Sequence, residues 1–337
     1  MKVLVTGAAG FIGFHMSEAL LADGHKVHGL DNLNDYYDQS LKRSRLKNLG
    51  INTEDLTFGN VYEGSERFTF HYQDLLDAEE FNTLVSEIKP EIIIHLAAQA
   101  GVRHSIRHPQ SFIDSNIQGF FNVLEACRKY PVKHLVYASS SSVYGTNTEI
   151  PFKESAQTDH PISLYGATKK AGEVLAHSYV ELYDIPATGL RFFTVYGPWG
   201  RPDMAYFKFA DQIINGDTIE VYNQGDMSRD FTYVDDIING IKALIQYPPS
   251  SSTGASHRIL NIARSNPVNL LNFIETLEKY MGRKAVKEFM PLQQGDITST
   301  WADTKALRDL TGYAPDTDLD EGIRKFVDWY KSYHRIS

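Results

Sequence analysis

Short apolar runs alternate with helical periodicities through the first half of the chain. Lys2–Thr6, His25–Leu30, Phe68–Tyr72, Glu91–Leu96 and Lys133–Ala138 are such runs, each closed by polar or small residues. Their shortness and bounding residues predict strands. The near-continuous apolarity of Glu91–Leu96 predicts a strand covered on both faces. Between the strands, His15–Asp23 and Asp114–Lys129 space their apolar residues as helices do, and Ser163–Tyr183 begins another helix after a loop. Strand and helix in strict alternation predict an α/β fold, a doubly wound parallel sheet. From Thr194 onward the pattern breaks into loops and short helices, and the chain returns to the sheet at Arg258–Ile262. A smaller, discontinuous C-terminal lobe is therefore expected, with residues 194–221 and 264–337 separated by a return to the first domain, 1–193 with 222–263. Pro248–Gly254 reads as an exposed loop, and Leu319–Tyr333 as an amphipathic closing helix with no sign of chemistry.

The first strand runs into Thr6-Gly7-Ala8-Ala9-Gly10-Phe11-Ile12-Gly13, and the second ends at Asp31. Strand, glycine turn, helix, strand and acid make a dinucleotide-binding βαβ unit of the Rossmann type. Gly7, Gly10 and Gly13 turn the chain, admit a pyrophosphate to backbone N–H groups, and let helix pack on strand. Asp31 lies about 18 residues beyond Gly13, where a carboxylate accepts from both ribose hydroxyls. A 2′-phosphate would be repelled there, so NAD is favoured over NADP. Next comes a polar connection, Asn34-Asp35-Tyr36-Tyr37-Asp38, followed by the basic stretch Leu41–Lys47, read as a solvated helix face. Asp74, at the end of the third strand, either meets the adenine amino group or caps the next helix. His95 lies within an apolar run and reads as a hydrogen-bonded core histidine.

Composition narrows the partners. A net charge of −9 over 337 residues argues against nucleic acid, whose phosphates need a basic surface. The single Cys127 leaves no internal disulfide and fits a reducing, cytoplasmic setting. No signal-peptide pattern opens the chain, and no apolar run approaches the ~18–20 residues of a membrane span. The histidines show no metal-ligand spacing.

The candidate chemistry gathers where the strand Lys133–Ala138 meets Ser139-Ser140-Ser141-Ser142-Val143-Tyr144-Gly145. The carboxyl end of a strand is where ligands sit in an open α/β sheet. Tyr165 and Lys169, four positions apart, share one face of the following helix. A tyrosine with its free pKa of about 10 is a poor base at neutral pH, and a neighbouring ammonium favours the phenolate. A serine hydroxyl could then share a substrate proton with it.

These features, together with Leu190–Pro198, Arg229–Asp236 and Thr300–Asp303, resemble the extended short-chain dehydrogenase/reductase superfamily, over nearly the whole chain. Longer strings look like UDP-glucuronate 4-epimerases: Asp31–Asp38, Ala97–Arg103 and Gly197–Ala205. That resemblance implies Tyr165, Lys169 and Ser140 as catalytic residues. It implies Gly7, Gly10, Phe11, Ile12, Gly13, Asp31, Asn32, Asp74, Leu75 and Ala97 around NAD, with Tyr165 and Lys169. For a UDP-uronic acid it implies Ser140, Ser141, Ser142 and Thr194 near the sugar and its carboxylate, Arg201 and Arg229 on the diphosphate, and Asp296 on the uridine ribose. Gly166 and Gly172 depart from the pattern, which would place Ala and Asn in that helix, at a cost of up to ~1 kcal/mol each.

The serines are informative for what they lack. Relatives that dehydrate dTDP-sugars resemble this chain but carry Thr-Asp-Glu at positions 140–142, and UDP-glucuronate decarboxylases place Glu at 142. Without either acid, the resemblance implies reversible oxidation at C4: UDP-glucuronate and UDP-galacturonate interconverted for polysaccharide biosynthesis, by a homodimer. The alternatives are a 4-epimerase of UDP-hexoses or UDP-N-acetylhexosamines, a decarboxylase, and a non-catalytic NAD-binding scaffold. The last usually loses the Tyr/Lys pair.

Overall fold

A computed structural model describes residues 1–65, 67–250, 256–292 and 298–336. The expected sheet is present. Its strands are β1 (Lys2–Thr6), β2 (Lys26–Asp31), β3 (Val61–Glu63), β4 (Phe68–Tyr72), β5 (Ile92–His95), β6 (His134–Ser140), β7 (Ala187–Phe192) and β8 (His257–Ile262). Across the sheet they run β8-β7-β6-β5-β1-β2-β4-β3. β1 pairs in parallel with both β2 and β5, as do β2 with β4 and β5 with β6, while β3 is an antiparallel edge on β4. The order therefore reverses direction between β1 and β5. A crevice opens at the carboxyl ends of strands at such a reversal, because the flanking connections leave on opposite faces.

Helices α1 (Phe11–Ala22), α2 (Gln39–Asn48), α3 (Ala78–Ile88), α4 (Phe120–Lys129) and α5 (Leu164–Tyr183) follow the early strands. Leu4, Ile93, Leu135, Val123 and Val180 belong to one buried cluster, which explains why β5 reads Ile-Ile-Ile in sequence. The helix expected over Asp114–Lys129 has more structure than periodicity showed. A short helix, Pro109–Ile113, passes through a π turn, Asp114–Gly119, before α4 begins.

The basic stretch 41–47 corrects the sequence reading. It forms α2, but Lys42 and Arg45 are buried. Arg45 Nη1 donates to the Ala9 carbonyl (2.8 Å) and to the Tyr37 hydroxyl (2.7 Å). Lys42 Nζ donates to Asn34 Oδ1 (2.8 Å) and lies 3.7 Å from Asp31 Oδ1. A charge run looks solvated only until its partners are known.

The chain divides into two compact units. One comprises Met1–Asn147, Ala156–Arg191 and Ile241–Leu260; the other comprises Thr148–Ser155, Phe192–Gly240 and the chain from Asn261. Residues 222–240, grouped by the sequence with the first domain, fall in the second unit. There Phe231–Tyr233 pairs in parallel with Thr194–Tyr196, and the Asp236 carboxylate accepts from Thr317. The second unit packs around aromatic rings: Phe231 and Phe273 stack at 4.2 Å, and Tyr196 meets Phe273 edge-on. Its longer helices include α6 (Ala205–Asn215), α7 (Leu270–Met281) and α8 (Leu319–His334).

Candidate active site

The glycine loop lies at the β1–β5 reversal, and its glycines are steric necessities. Gly7 adopts φ +73°, and a Cβ there would stand 2.7 Å from the Ala97 nitrogen. A Cβ on Gly13 would meet the Gly7 carbonyl at 2.0 Å. α1 begins at Phe11, with Gly10 as its N-cap and no capping side chain. The first turn of α1, at Phe11, Ile12 and Gly13, is therefore left uncapped by its N-cap residue, which suits a pyrophosphate site. Asp31 is buried. Its Oδ2 accepts from the Ala9 N–H (3.1 Å) and its Oδ1 from the Leu33 N–H (2.8 Å), which ties this carboxylate to the glycine loop.

Asn32 Nδ2 donates to Asp74 Oδ2 at 2.8 Å, so the ends of β2 and β4 meet there. The helix-cap alternative for Asp74 is overturned: Asp77 caps α3, while Asp74 Oδ1 accepts from the Leu76 N–H. The Leu75 carbonyl accepts from Asn122 of α4. His95 is the expected core histidine. It shares a 2.8 Å hydrogen bond with Thr6 Oγ1 and stacks on Phe120, and burial, aided by the Lys169 charge, lowers its pKa to about 3.

β6 ends at Ser140, and Ser141–Tyr144 forms a 3-10 turn. The serines then separate by partner. Ser139 Oγ donates to Glu173 Oε1 (2.6 Å), and Glu173 is clamped by Arg191 through Nε (2.8 Å) and Nη2 (2.9 Å). This buried network anchors the turn and removes Ser139 from any chemistry. Ser140 Oγ accepts from the Ser142 N–H (3.1 Å) and donates to Ser142 Oγ (3.2 Å), while Ser141 and Ser142 stay partly exposed.

α5 starts one residue before Tyr165, capped by Ser163 Oγ accepting from the Gly166 N–H. Lys169 is buried and donates to the Ala138 carbonyl (2.9 Å); burial lowers its pKa to about 8. Tyr165 is partly exposed one turn earlier, its ring edge-on to Phe112. Gly166 explains itself here. A Cβ would meet the Ser142 carbonyl at 2.6 Å, so glycine is what lets the helix approach the serine turn. At Gly172 the nearest atom, on Phe120, is at an ordinary 3.4 Å.

Asn116 is a residue the sequence did not single out. It lies in the π turn, buried. Its Nδ2 donates to the Gln99 carbonyl and to Thr168 Oγ1, both at 3.0 Å, and its Oδ1 accepts from the Gln99 N–H (2.8 Å). Thr168 in turn donates to the Tyr165 carbonyl. Asn116, Ala97, Ala138, Thr168 and Lys169 line one small cavity. The strand ends, the π turn and α5 therefore converge on one place.

A family profile described as the NAD dependent epimerase/dehydratase family matches residues 3–263. The chain belongs to that family. Among relatives, "Protein CapI" of Staphylococcus aureus is 47% identical over 99% of this chain and all of its own. A "Probable UDP-glucuronate 4-epimerase" of Rhizobium meliloti (strain 1021) is 44% identical over 99% of this chain and 98% of its own. In structure, the UDP-glucuronic acid 4-epimerase of Bacillus cereus, solved with UDP-glucuronic acid and NAD, superposes with a TM-score of 0.87. It is 34% identical, covering 99% of this chain and 100% of that one.

NAD is the cofactor of this epimerase family, and the glycine cradle, the uncapped α1 terminus and Asp31 fit it. Among the described residues no group of His, Cys, Asp and Glu could hold a metal, and no helix is long and apolar enough to cross a membrane.

The second unit carries the remaining family-implied residues. The Thr194 N–H donates to the Asp230 carbonyl (3.2 Å). Arg201 pairs with Asp203 through Nε (3.0 Å) and Nη2 (2.6 Å). Arg229 Nη1 donates to the carbonyls of Ser228 (3.0 Å) and Thr298 (3.2 Å). Asp230, within the Arg229–Asp236 string, is a second residue whose place the sequence does not show. It is buried, with its carboxylate accepting from the N–H groups of Ser265 and Ala302, and burial pushes its pKa up to about 6. Asp296 lies outside the described residues.

Proposed function

We propose that the protein interconverts UDP-glucuronate and UDP-galacturonate by oxidising C4 of the sugar and reducing it again. The observation that carries this reading is the serine turn. It presents Ser140, Ser141 and Ser142 beside the Tyr165/Lys169 helix, with no acid at the positions where elimination or decarboxylation would need one. The 44–47% identity to relatives that include a "UDP-glucuronate 4-epimerase 1" of Arabidopsis thaliana supports the substrate class.

Tyr165, as phenolate, accepts the C4 hydroxyl proton, and Ser140 shares it through its own hydroxyl. Lys169 favours the phenolate: its donor is anchored on the neutral Ala138 carbonyl, which leaves the ammonium charge uncompensated by that bond. NAD, held by the glycine loop and Asp31, would supply the acceptor for the C4 hydride and the source of its return. Ser141, Ser142 and Thr194 hold the substrate carboxylate out of line with the C4 carbonyl π system, which suppresses loss of CO2 by positioning alone. The 4-keto sugar turns about its diphosphate link, held by Arg201 and Arg229, so that the other face of C4 is presented for hydride return while Tyr165 gives the proton back to the C4 oxygen. Guanidinium suits that task because its fork donates bidentately.

The finer expectations are proposals of the same kind. Phe121 of α4 and Val174 and Leu182 of α5 are exposed apolar residues, and their position supports a homodimer through these two helices. The lone, buried Cys127 supports a cytoplasmic location, and the proposed substrate supports a role in polysaccharide biosynthesis. The test is to give purified protein UDP-glucuronate without added NAD and to resolve the products by NMR. UDP-galacturonate is expected. A UDP-pentose, or turnover of UDP-glucose but not the uronate, would refute the proposal.

A further inference from the structure

The loop Gly197–Met204 carries Arg201 and turns on a residue that resists turning. Trp199 adopts φ +59°, a region that a bulky side chain enters only where its surroundings hold it. Those surroundings are aromatic. The Trp199 ring lies 5.2 Å from Trp329 and 5.4 Å from Tyr333, which stack on each other at 5.3 Å. Both rings belong to the end of α8, the helix in which the sequence showed no chemistry. Among the described residues the buried Trp329 indole N–H has no acceptor, so what this ring offers Trp199 is its shape.

The same helix seats the far side of the loop. Phe207, at the start of α6, packs on Phe326 (6.0 Å), Trp329 (6.0 Å) and Tyr330 (5.5 Å), and the Tyr330 hydroxyl donates to Asp211. Gly200 leaves no slack: a Cβ there would fall 1.9 Å from the Tyr206 hydroxyl. Within this fixed loop Asp203 grips the Arg201 fork at two nitrogens.

We infer that the end of α8 is a positioning device for Arg201. Trp329 and Tyr333 clasp Trp199 and so set the loop, and Asp203 sets the guanidinium within it. Trp329 and Tyr333 are positioning residues, not ligands. The inference rests on the proposed role of Arg201 at the diphosphate.

UDP is the probe, because it carries the diphosphate and lacks the reacting sugar. Trp329→Ala is expected to weaken UDP binding about tenfold, the order of one charge-assisted hydrogen bond mispositioned. It should raise the KM for UDP-glucuronate similarly and leave kcat within about twofold, the signature of lost uniform binding. NAD content should be unchanged. Trp329→Phe, which keeps a ring against Trp199, should restore UDP affinity to within about threefold of the natural protein. Arg201→Ala should weaken UDP by itself, and adding Trp329→Ala to it should change little further, because the two act through one contact.

If Arg201→Ala binds UDP normally, the diphosphate role fails and this inference with it. If Arg201→Ala is impaired but Trp329→Ala is not, or if their effects simply add, the inference alone fails. Should Trp329→Ala not fold, Trp199→Gly, which suits φ +59° and removes the ring, carries the same expectation and the same refutation.

Discussion

Lys169 and Arg201 are the two cations to which the proposed function gives ligand roles, and they are held in opposite ways. Lys169 is buried in the interior of a long helix, and its anchor is a neutral carbonyl. Arg201 is partly exposed in a loop, and its anchor is the Asp203 carboxylate. A carbonyl fixes an ammonium without cancelling it, so the charge remains available to act on the neighbouring tyrosine. A carboxylate orients a guanidinium and cancels much of its charge, which serves recognition and does little to shift a pKa. On the proposed function, the chemical step draws on a charge that is buried and expensive, and binding on one that is paired and adjustable.

The two units repeat this contrast in what they bury. The first holds His28, His71, His95, His134 and His257 with pKa values lowered mainly by burial, to between about 3 and about 4. The second holds Asp211, Asp230, Asp235 and Asp236 with pKa values raised by burial. Neutral rings stabilise the one, and carboxylates that resist ionisation sit in the other.

The sharpest way to break the contrast is a pair of substitutions. Tyr165→Phe is expected to lower kcat by about 10³-fold or more with UDP affinity and NAD content preserved. Arg201→Ala should do the reverse, raising the KM about ten- to a hundredfold with a much smaller effect on kcat. Steady-state kinetics with bound-NAD quantitation checks both, and equal losses in the same parameter would erase the distinction.

Acid should separate the units by sign. The buried histidines bind protons more readily when unfolded, at about 6.5, than when folded, so their contribution to stability is lost as pH falls from about 6.5 to about 4. Asp230 has its folded pKa raised to about 6, so over the window from about 6 down to the ordinary carboxylate range acid relieves it. Amide-exchange protection, corrected for intrinsic rates, is expected to fall first in the strands bearing His28, His71 and His134. Earlier loss around Asp230 would contradict this.

Smaller effects should come from the two glycines of α5. Gly166→Ala must displace the Ser142 carbonyl and is expected to cost about 1–3 kcal/mol, with kcat reduced. Gly172→Ala has ordinary room and should be neutral or stabilising by up to about 1 kcal/mol. Thermal melts of both variants decide this, and an equal cost at the two positions would show that helix propensity, not close approach, governs them.

These cases also mark where the sequence is legible. The sheet, the glycine loop, Asp31 and the Tyr165/Lys169 pair are written in local spacing, and local spacing survives folding. Asn116 is not, because an asparagine in a helical pattern gains its role only from a π turn that no periodicity announces. Glu173 and Arg191 sit 18 positions apart, a spacing without meaning until helix and strand are packed. Lys42 and Arg45 misled for a related reason: hydropathy reads a charge as solvent-seeking, whereas their acceptors, Asn34, the Ala9 carbonyl and the Tyr37 hydroxyl, come from elsewhere in the chain. Gly166 showed its cost in sequence and its reason only in the approach to Ser142.

The central claim is that a hydride leaves C4 and returns to the same carbon on the opposite face. UDP-glucuronate deuterated at C4 tests it most directly, by NMR of the product formed in ordinary water. The account expects UDP-galacturonate that still carries its deuterium at C4. Product with hydrogen from solvent at C4 would contradict it, since the atom would then have left as a proton.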